Sequence, residues 1–309
     1  MLIMEKKNNL PNLIISGVHK SATTSVFDYL SAHPNIYGSL KKEIHYFTPL
    51  IYGKGLEEEE KYTRYFKDYK DESFLLEASP SYLYGQEMII DKMKELLPKD
   101  HRVIMILRKP ANRLTSFFKK LSTRGLIDEK FNLQMFFEQS LGHFERNEIE
   151  DTYIHRAVRE GVYVNVLEPW IKAYGDRLKI IFFEDVKRDT KNCIEDISDW
   201  LEIDKTFYAD FDFQISNKTR KVKSKSMQRI ARGINLGFEP ILRKNPGLKQ
   251  KISKIYQRFN TSNEAILIDE DFKLQISAFY KPYNIALGQL LDKYNLNHAS
   301  WTKNEKIEA

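Results

Sequence analysis

Cysteine is nearly absent. Cys193 is the single one in 309 residues, so no intrachain disulfide can form and a reducing compartment is expected. Long apolar runs are also missing: no 18-residue stretch could serve as a spanning helix. The N-terminal MLIMEKKNNLPN is too short and too polar for a signal peptide. The sequence shows no internal repeat, no low-complexity tract and no metal-ligand cluster. The expectation is a cytoplasmic chain with no transmembrane segment and no metal. A strong overall charge is lacking too, since the net is only +6. That suits an anionic ligand without demanding one.

The small net charge hides a concentration. Residues 218–258 hold 13 Lys or Arg against one acid, Glu239, which leaves the remainder of the chain near −6. A solvated basic insert is the simpler reading; an anionic lipid or nucleic-acid surface is the alternative. Only Phe238 and Tyr256 interrupt the run as aromatics, too few for a base-stacking platform, so no nucleic-acid partner is expected.

Apolar residues make up 42% and aromatics 13%, enough for a sizeable core in one α/β domain spanning 1–309. The organising stretch is Leu13 to Leu30, LIISGVHKSATTSVFDYL. Leu13, Ile14 and Ile15 look like a buried parallel strand. Gly17 stands at its exit, and Val26, Phe27 and Leu30 resume at helical spacing. A strand, a small-residue loop and a helix together aim backbone N–H groups and a positive helix end at an anion. Lys20 adds charge, and Ser21, Thr23, Thr24 and Ser25 add hydroxyls. The rival reading is an ordinary turn with one of those hydroxyls as N-cap. The loop is neither Walker A, lacking a second glycine before Lys20, nor GxGxxG.

Further on, Lys42-Glu43-Ile44-His45-Tyr46-Phe47 puts a carboxylate and an imidazole two residues apart. In an extended segment they share one face, a possible general-base pair or simply a solvated polar face. Residues 53–73 read as an amphipathic helix through Tyr62, Tyr65 and Phe66. Val103 to Leu107 is the strongest buried strand; Arg108, Lys109 and Pro110 follow it, then a helix carrying Arg113 and Ser116. Arg108 and Ser116 suit a second phosphate, or Arg108 merely caps a sheet edge. Cys193 falls on the apolar face of a helix and reads as a small buried hydrophobe.

These motifs resemble, in order, those of the sulfotransferases that use 3′-phosphoadenosine 5′-phosphosulfate, in particular the heparan-sulfate-type and bacterial members. GVHKSATTS is similar to their G-x-x-K-S-G-T-T-S loop, with Ala22 in place of glycine. KEIHYF matches K-E-x-H-[FY]-F. EASPSYL matches E-K-[ST]-P-x-Y except that Ala78 replaces lysine, which argues against a heavily anionic acceptor. RKPANRLTSFF matches R-[DN]-P-x-x-R-x-x-S-x-[YF], with Lys109 at a position usually acidic or polar. GVYVNVLEPW, the NKTR segment at 217–220 and the terminal helix follow the family as well. The resemblance covers roughly 12–220 and 274–291.

The resemblance implies a three-layer, P-loop-like α/β fold with a central parallel sheet and added C-terminal helices, including one over 270–295. It implies the phosphosulfate cofactor, with adenosine 3′,5′-bisphosphate as product, and a small-molecule or glycan acceptor. Gly17, His19, Lys20, Ser21, Ala22, Thr23, Thr24 and Ser25 would hold the 5′-side. Arg108, Ser116, Lys218 and Arg220 would hold the 3′-phosphate, with 218–232 closing over the nucleotide. Lys20 would stabilise charge on the leaving oxygen. Glu43 would take the acceptor proton, its pKa raised by desolvation and partly offset by Lys42 and Lys20, with His45 as orienter or alternative base. Lys42, Ser81 and Tyr82 would meet the acceptor. The rival functions are a nucleotide kinase, or binding of an anionic surface through the basic insert.

Overall fold

A computed structural model describes residues 9–128, 130–213, 221–222, 261–262 and 268–303. Five short runs rich in Ile, Leu and Val pair as one parallel sheet: β1 Leu13–Gly17, β2 Ile36–Gly38, β3 Phe74–Ala78, β4 Arg102–Leu107 and β5 Leu178–Phe182. Their order is β2-β3-β1-β4-β5. The strand leading into the phosphate-like loop is therefore central, and every residue of β1 is buried. A parallel sheet of this kind carries its sites at the carboxyl ends of its strands. The residues singled out at 17–25, 43–45, 79–82 and 108 all follow such ends in sequence.

The chain divides into two compact units. The first comprises residues 1–107, 165–214 and 294–297 and contains the sheet. Flanking helices include α1 Thr23–Leu30, α2 Glu59–Thr63, α3 Gln86–Leu96, α7 Val164–Tyr174 (from residue 165 on), α8 Phe183–Arg188 and α9 Thr190–Leu201. Leu13 and Ile15 of β1 pack with Val26, Phe27 and Leu30 of α1 and with Ile194 and Ile197 of α9. Cys193 joins this core, and burial pushes its thiol up to about 12, so it is no nucleophile.

The second unit comprises residues 108–164, 215–293 and 298–309. It holds α4 Pro110–Thr123, α5 Leu133–Glu145, α6 Tyr153–Ala157 and α10 Glu270–Lys293, plus a two-strand antiparallel ladder, β6 Lys221–Val222 with β7 Thr261–Ser262. Leu114, Phe117, Phe118, Phe136, Ile276 and Tyr280 form its core. Arg113, part of the matched motif, is fully buried here. It pairs with Glu160 at 3.3 Å and donates to the Ala157 carbonyl, so its role is internal.

Two expectations needed correcting. Residues 53–73 form only the five-residue α2 and a 3-10 turn at Arg64–Phe66, because Tyr62 and Phe66 are pulled into the core before a longer helix can run. The segment at 43–45 is not extended either: Glu43 and His45 both stand at φ 60°.

Gly161 has a local reason to be glycine. A Cβ there would lie 2.7 Å from the ring of Tyr280, which is buried and donates its hydroxyl to the Val158 carbonyl at 2.9 Å. Gly161→Ala is expected to destabilise the protein by about 1–3 kcal/mol through overpacking. Denaturant unfolding measures this, and an unchanged midpoint would contradict it.

Candidate active site

The loop leaving β1 turns twice into left-handed backbone, at Lys20 (φ 72°) and Ala22 (φ 62°), with Ser21 between them at negative φ. Alternating hands of this kind turn successive N–H groups toward one side and make an anion-binding concavity. Helix α1 then starts at Thr23 with Ala22 as N-cap and no side-chain capping bond. The hydroxyl N-cap reading is thereby excluded, and the first-turn N–H groups have no intrahelical acceptor. The hydroxyls of Ser16 and Ser21 are buried and have no hydrogen-bond partner among the described residues. Buried hydroxyls normally have one. Buried donors without a protein partner, in and next to a loop that carries Lys20, fit a bound phosphate or sulfate ester. The left-handed backbone also explains why glycine is the familiar residue at position 22: alanine there costs about 1–2 kcal/mol.

Glu43 and His45 follow β2. The Glu43 N–H donates to the Ala78 carbonyl at 3.0 Å, and the His45 N–H donates to Ser79 Oγ at 2.9 Å, tying the segment to the end of β3. Lys42 Nζ donates to Glu43 Oε1 at 2.9 Å. His45 Nε2 lies 3.8 Å from Glu43 Oε2, within charge attraction but too long for a hydrogen bond. Its Nδ1 is within 3.1 Å of Ser81 Oγ and 3.2 Å of Thr48 Oγ1, and those two hydroxyls are 2.6 Å apart. Ser81 and Thr48 therefore set the ring's orientation.

Burial pushes the Glu43 carboxyl up, but the His45 imidazole, the Lys42 ammonium and His19 outweigh it and hold the group below the usual carboxylate range. The expectation of a raised pKa is thus reversed, because the hydrogen-bonding and electrostatic effects of His45, Lys42 and His19 overcome desolvation. His19, in the loop after β1, is among the groups that lower the Glu43 pKa.

Beneath them sits a residue to which sequence reasoning gave no part in the site. Glu77 in β3 is fully buried, and desolvation raises its pKa despite three donors. Tyr62 donates to Oε2 at 2.5 Å, Ser79 to Oε1 at 2.5 Å and Tyr82 to Oε1 at 2.8 Å. Tyr82, expected at the acceptor, is buried and engaged with Glu77. Lys42, expected there as well, has a side chain only 7% exposed and is committed to Glu43.

Arg108 and Ser116 belong to the second unit. The Arg108 carbonyl accepts from the Tyr163 hydroxyl at 2.8 Å, which fixes the backbone just before α4, and Ser116 is half-buried within α4. Lys218 and Arg220 lie outside the described residues, as does most of the basic insert. No helix among the described residues is long and apolar enough to cross a membrane.

Compared with known proteins, the profile of the family described as "Sulfotransferase domain" matches residues 10–253. The chain is 24% identical over 300 residues to human heparan sulfate glucosamine 3-O-sulfotransferase 3A1, covering 94% of this chain and 63% of that protein. It is 22% identical over 206 residues to bifunctional heparan sulfate N-deacetylase/N-sulfotransferase 1 of Caenorhabditis briggsae, covering 64% of this chain and 23% of that protein. The chain thus spans less than two thirds of the length of either relative. Among solved structures, a sulfotransferase from Alicyclobacillus acidocaldarius shares the fold, with a TM-score of 0.66 at 20% identity, covering 95% of this chain and 99% of that one. With the parallel sheet, the uncapped loop after its central strand and a profile match over most of the sequence, this chain belongs to the sulfotransferase family.

Proposed function

We propose that the protein transfers a sulfuryl group from 3′-phosphoadenosine 5′-phosphosulfate to a hydroxyl or amine of an acceptor such as a carbohydrate, a lipid or a natural product. When bound, the donor supplies an activated sulfuryl group whose S–O bond to phosphate breaks as the bond to the acceptor forms. The loop Gly17–Ser25 holds the 5′-side through backbone N–H groups and the Ser16 and Ser21 hydroxyls. Lys20 stabilises the negative charge that grows on the leaving oxygen. Glu43 takes the acceptor proton, and its ionised state is secured by Lys42 and His45. His45, oriented by Ser81 and Thr48, positions the acceptor. The 3′-phosphate role falls to Arg108 and Ser116, with Lys218 and Arg220, as in the matched motifs. The observation that carries the reading is the Glu43–His45 segment hydrogen-bonded to the end of β3, the strand next to β1, whose own exit loop has buried hydroxyls with no protein partner.

The test is nucleotide binding followed by thermal shift. Adenosine 3′,5′-bisphosphate is expected to stabilise the protein. Arg108→Ala should weaken that binding by about 1.5–3 kcal/mol, the range for a charged hydrogen bond. AMP, without the 3′-phosphate, should bind wild type less well and be little affected by the substitution. Equal affinity for both nucleotides would remove the 3′-phosphate assignment. Stronger stabilisation by ATP with Mg²⁺ would turn the reading toward phosphoryl transfer.

A further inference from the structure

We infer that the turn joining α5 to α6 is a binding site for a first-row divalent cation, zinc in the first place, held by His143, Glu148 and His155. The ligand atoms one from each residue lie within 4.8 Å of one another. A tetrahedral zinc with nitrogen and oxygen ligands at about 2.0–2.2 Å holds its ligand atoms roughly 3.3–3.6 Å apart, so the set closes once one imidazole turns out of its stack with the other and brings its in-plane lone pair to the ion. Two imidazoles and one carboxylate form a common open zinc site, with the fourth position left for water.

The backbone places these groups firmly. His143 lies in the last turn of α5, and Asn147 takes a left-handed conformation (φ 54°). The Glu148 N–H donates to the His143 carbonyl at 3.0 Å, which folds Glu148 back over the helix end. Arg159 holds the Glu148 carbonyl at 3.1 Å and the Asn147 side chain at 3.2 Å. The Val158 N–H donates to Ser140 Oγ at 2.8 Å, fixing the end of α6 against α5. As a result the rings of His143 and His155 stack at 3.7 Å with a tilt of 28°.

The electrostatics leave a place for a cation. His155 Nδ1 is 2.7 Å from Thr152 Oγ1, the kind of outer partner that sets a ligating ring, and its Nε2 faces two carboxylates: Glu148 at 3.8 Å and Glu150 at 3.7 Å. His143 Nδ1 contacts both the Glu148 carboxylate and, at 3.2 Å, Arg146 Nη2. One ring nitrogen cannot satisfy an acceptor and a cationic donor at once. Arg146, with its side chain 58% exposed, also donates to Glu148 at 2.7 Å. Arg146 is therefore the cation now neutralising the cluster, and a bound metal would displace it toward solvent. No familiar metal motif spells out the spacing H-x4-E-x6-H, which joins a helix end, a turn and the next helix, and composition alone did not reveal it.

The experiment titrates the full chain with zinc chloride in competition with a chromophoric chelator, and repeats it with cobalt(II) to read coordination from its visible bands. Wild type is expected to take up one equivalent with micromolar affinity. His143→Ala, Glu148→Gln and His155→Ala should each weaken uptake at least about 10-fold, since even the loss of an outer partner costs 10–100-fold. Arg146→Ala should tighten it several-fold. A thermal shift with zinc in wild type that is lost in His155→Ala would agree. No uptake above that of the His143→Ala/His155→Ala double variant, uptake unaffected by all three ligand changes, or weaker binding in Arg146→Ala would each overturn the site.

Discussion

Glu43→Gln is expected to lower sulfuryl transfer by about 10²–10⁴-fold, the usual range for removing a general base. That is roughly 3–5 kcal/mol of barrier. Glutamine keeps the shape of the side chain and removes the proton acceptor, so affinity for the bisphosphate should stay nearly unchanged. His45→Ala should cost less, because the ring orients the acceptor. The pH profile separates the two roles. A base acts in its deprotonated form, and Glu43 has a pKa held below the ordinary carboxylate range by His45, Lys42 and His19. The rate should therefore stay flat from neutral pH down to about 4.5 and fall only below it. The same shift has a sign for stability: Glu43 contributes above its unfolded value, and the contribution is lost as pH falls through the folded one. Turnover of both variants with the phosphosulfate donor is the measurement. Near-full activity in Glu43→Gln with loss in His45→Ala would make His45 the base.

Glu77→Ala is expected to destabilise the fold by about 3–5 kcal/mol. The change removes three hydrogen bonds and strands the hydroxyls of Tyr62 and Tyr82, both fully buried. Glu77→Gln, which keeps an acceptor, should cost less than half as much. Glu77 also has the opposite pH sign to Glu43. Its folded pKa is raised by burial, so folding favours the protonated form. Its contribution to stability is full below the unfolded value and declines as pH rises through the folded one. Wild-type stability should thus fall with rising pH just above about 4.5, and this slope should be absent in Glu77→Gln. Denaturant unfolding at several pH values checks both points. Unchanged stability in the alanine variant would mean that the tyrosines find other partners.

The consequence for the site is positional. Ser79 accepts the His45 N–H, and Tyr82 accepts the Phe47 N–H at 3.4 Å, so the buried Glu77 network sets the backbone on which His45 stands. Glu77 and Ser79 sit in the stretch EASPSYL, whose Glu77, Pro80 and Tyr82 match the family motif, but sequence reading gave Glu77 no part in the site. No periodicity distinguishes a buried carboxylate from an exposed one. The readable signal was a glutamate ending an apolar strand, FLLE, next to Ser-Pro-Ser-Tyr.

Residue chemistry in chain order, read with the family resemblance, was enough to reach the parallel α/β class, and it marked the strand at Leu13, the loop at 17–25 and the Glu43–His45 segment. Those features are local: a buried strand is a short apolar run, and an anion loop is small residues between strand and helix. Charge environment is not local. Whether Glu43 titrates high or low depends on Lys42 and His45 beside it and on His19 from the loop after β1, and together they reversed the expectation of a desolvated carboxyl only partly offset by lysines. The uncapped start of α1, the burial of Tyr82 against Glu77 and the meeting of His143, Glu148 and His155 at one turn arise in the same way. Each depends on distances between side chains that only the folded backbone sets, and both Coulomb energies and hydrogen bonds fall off over a few ångströms.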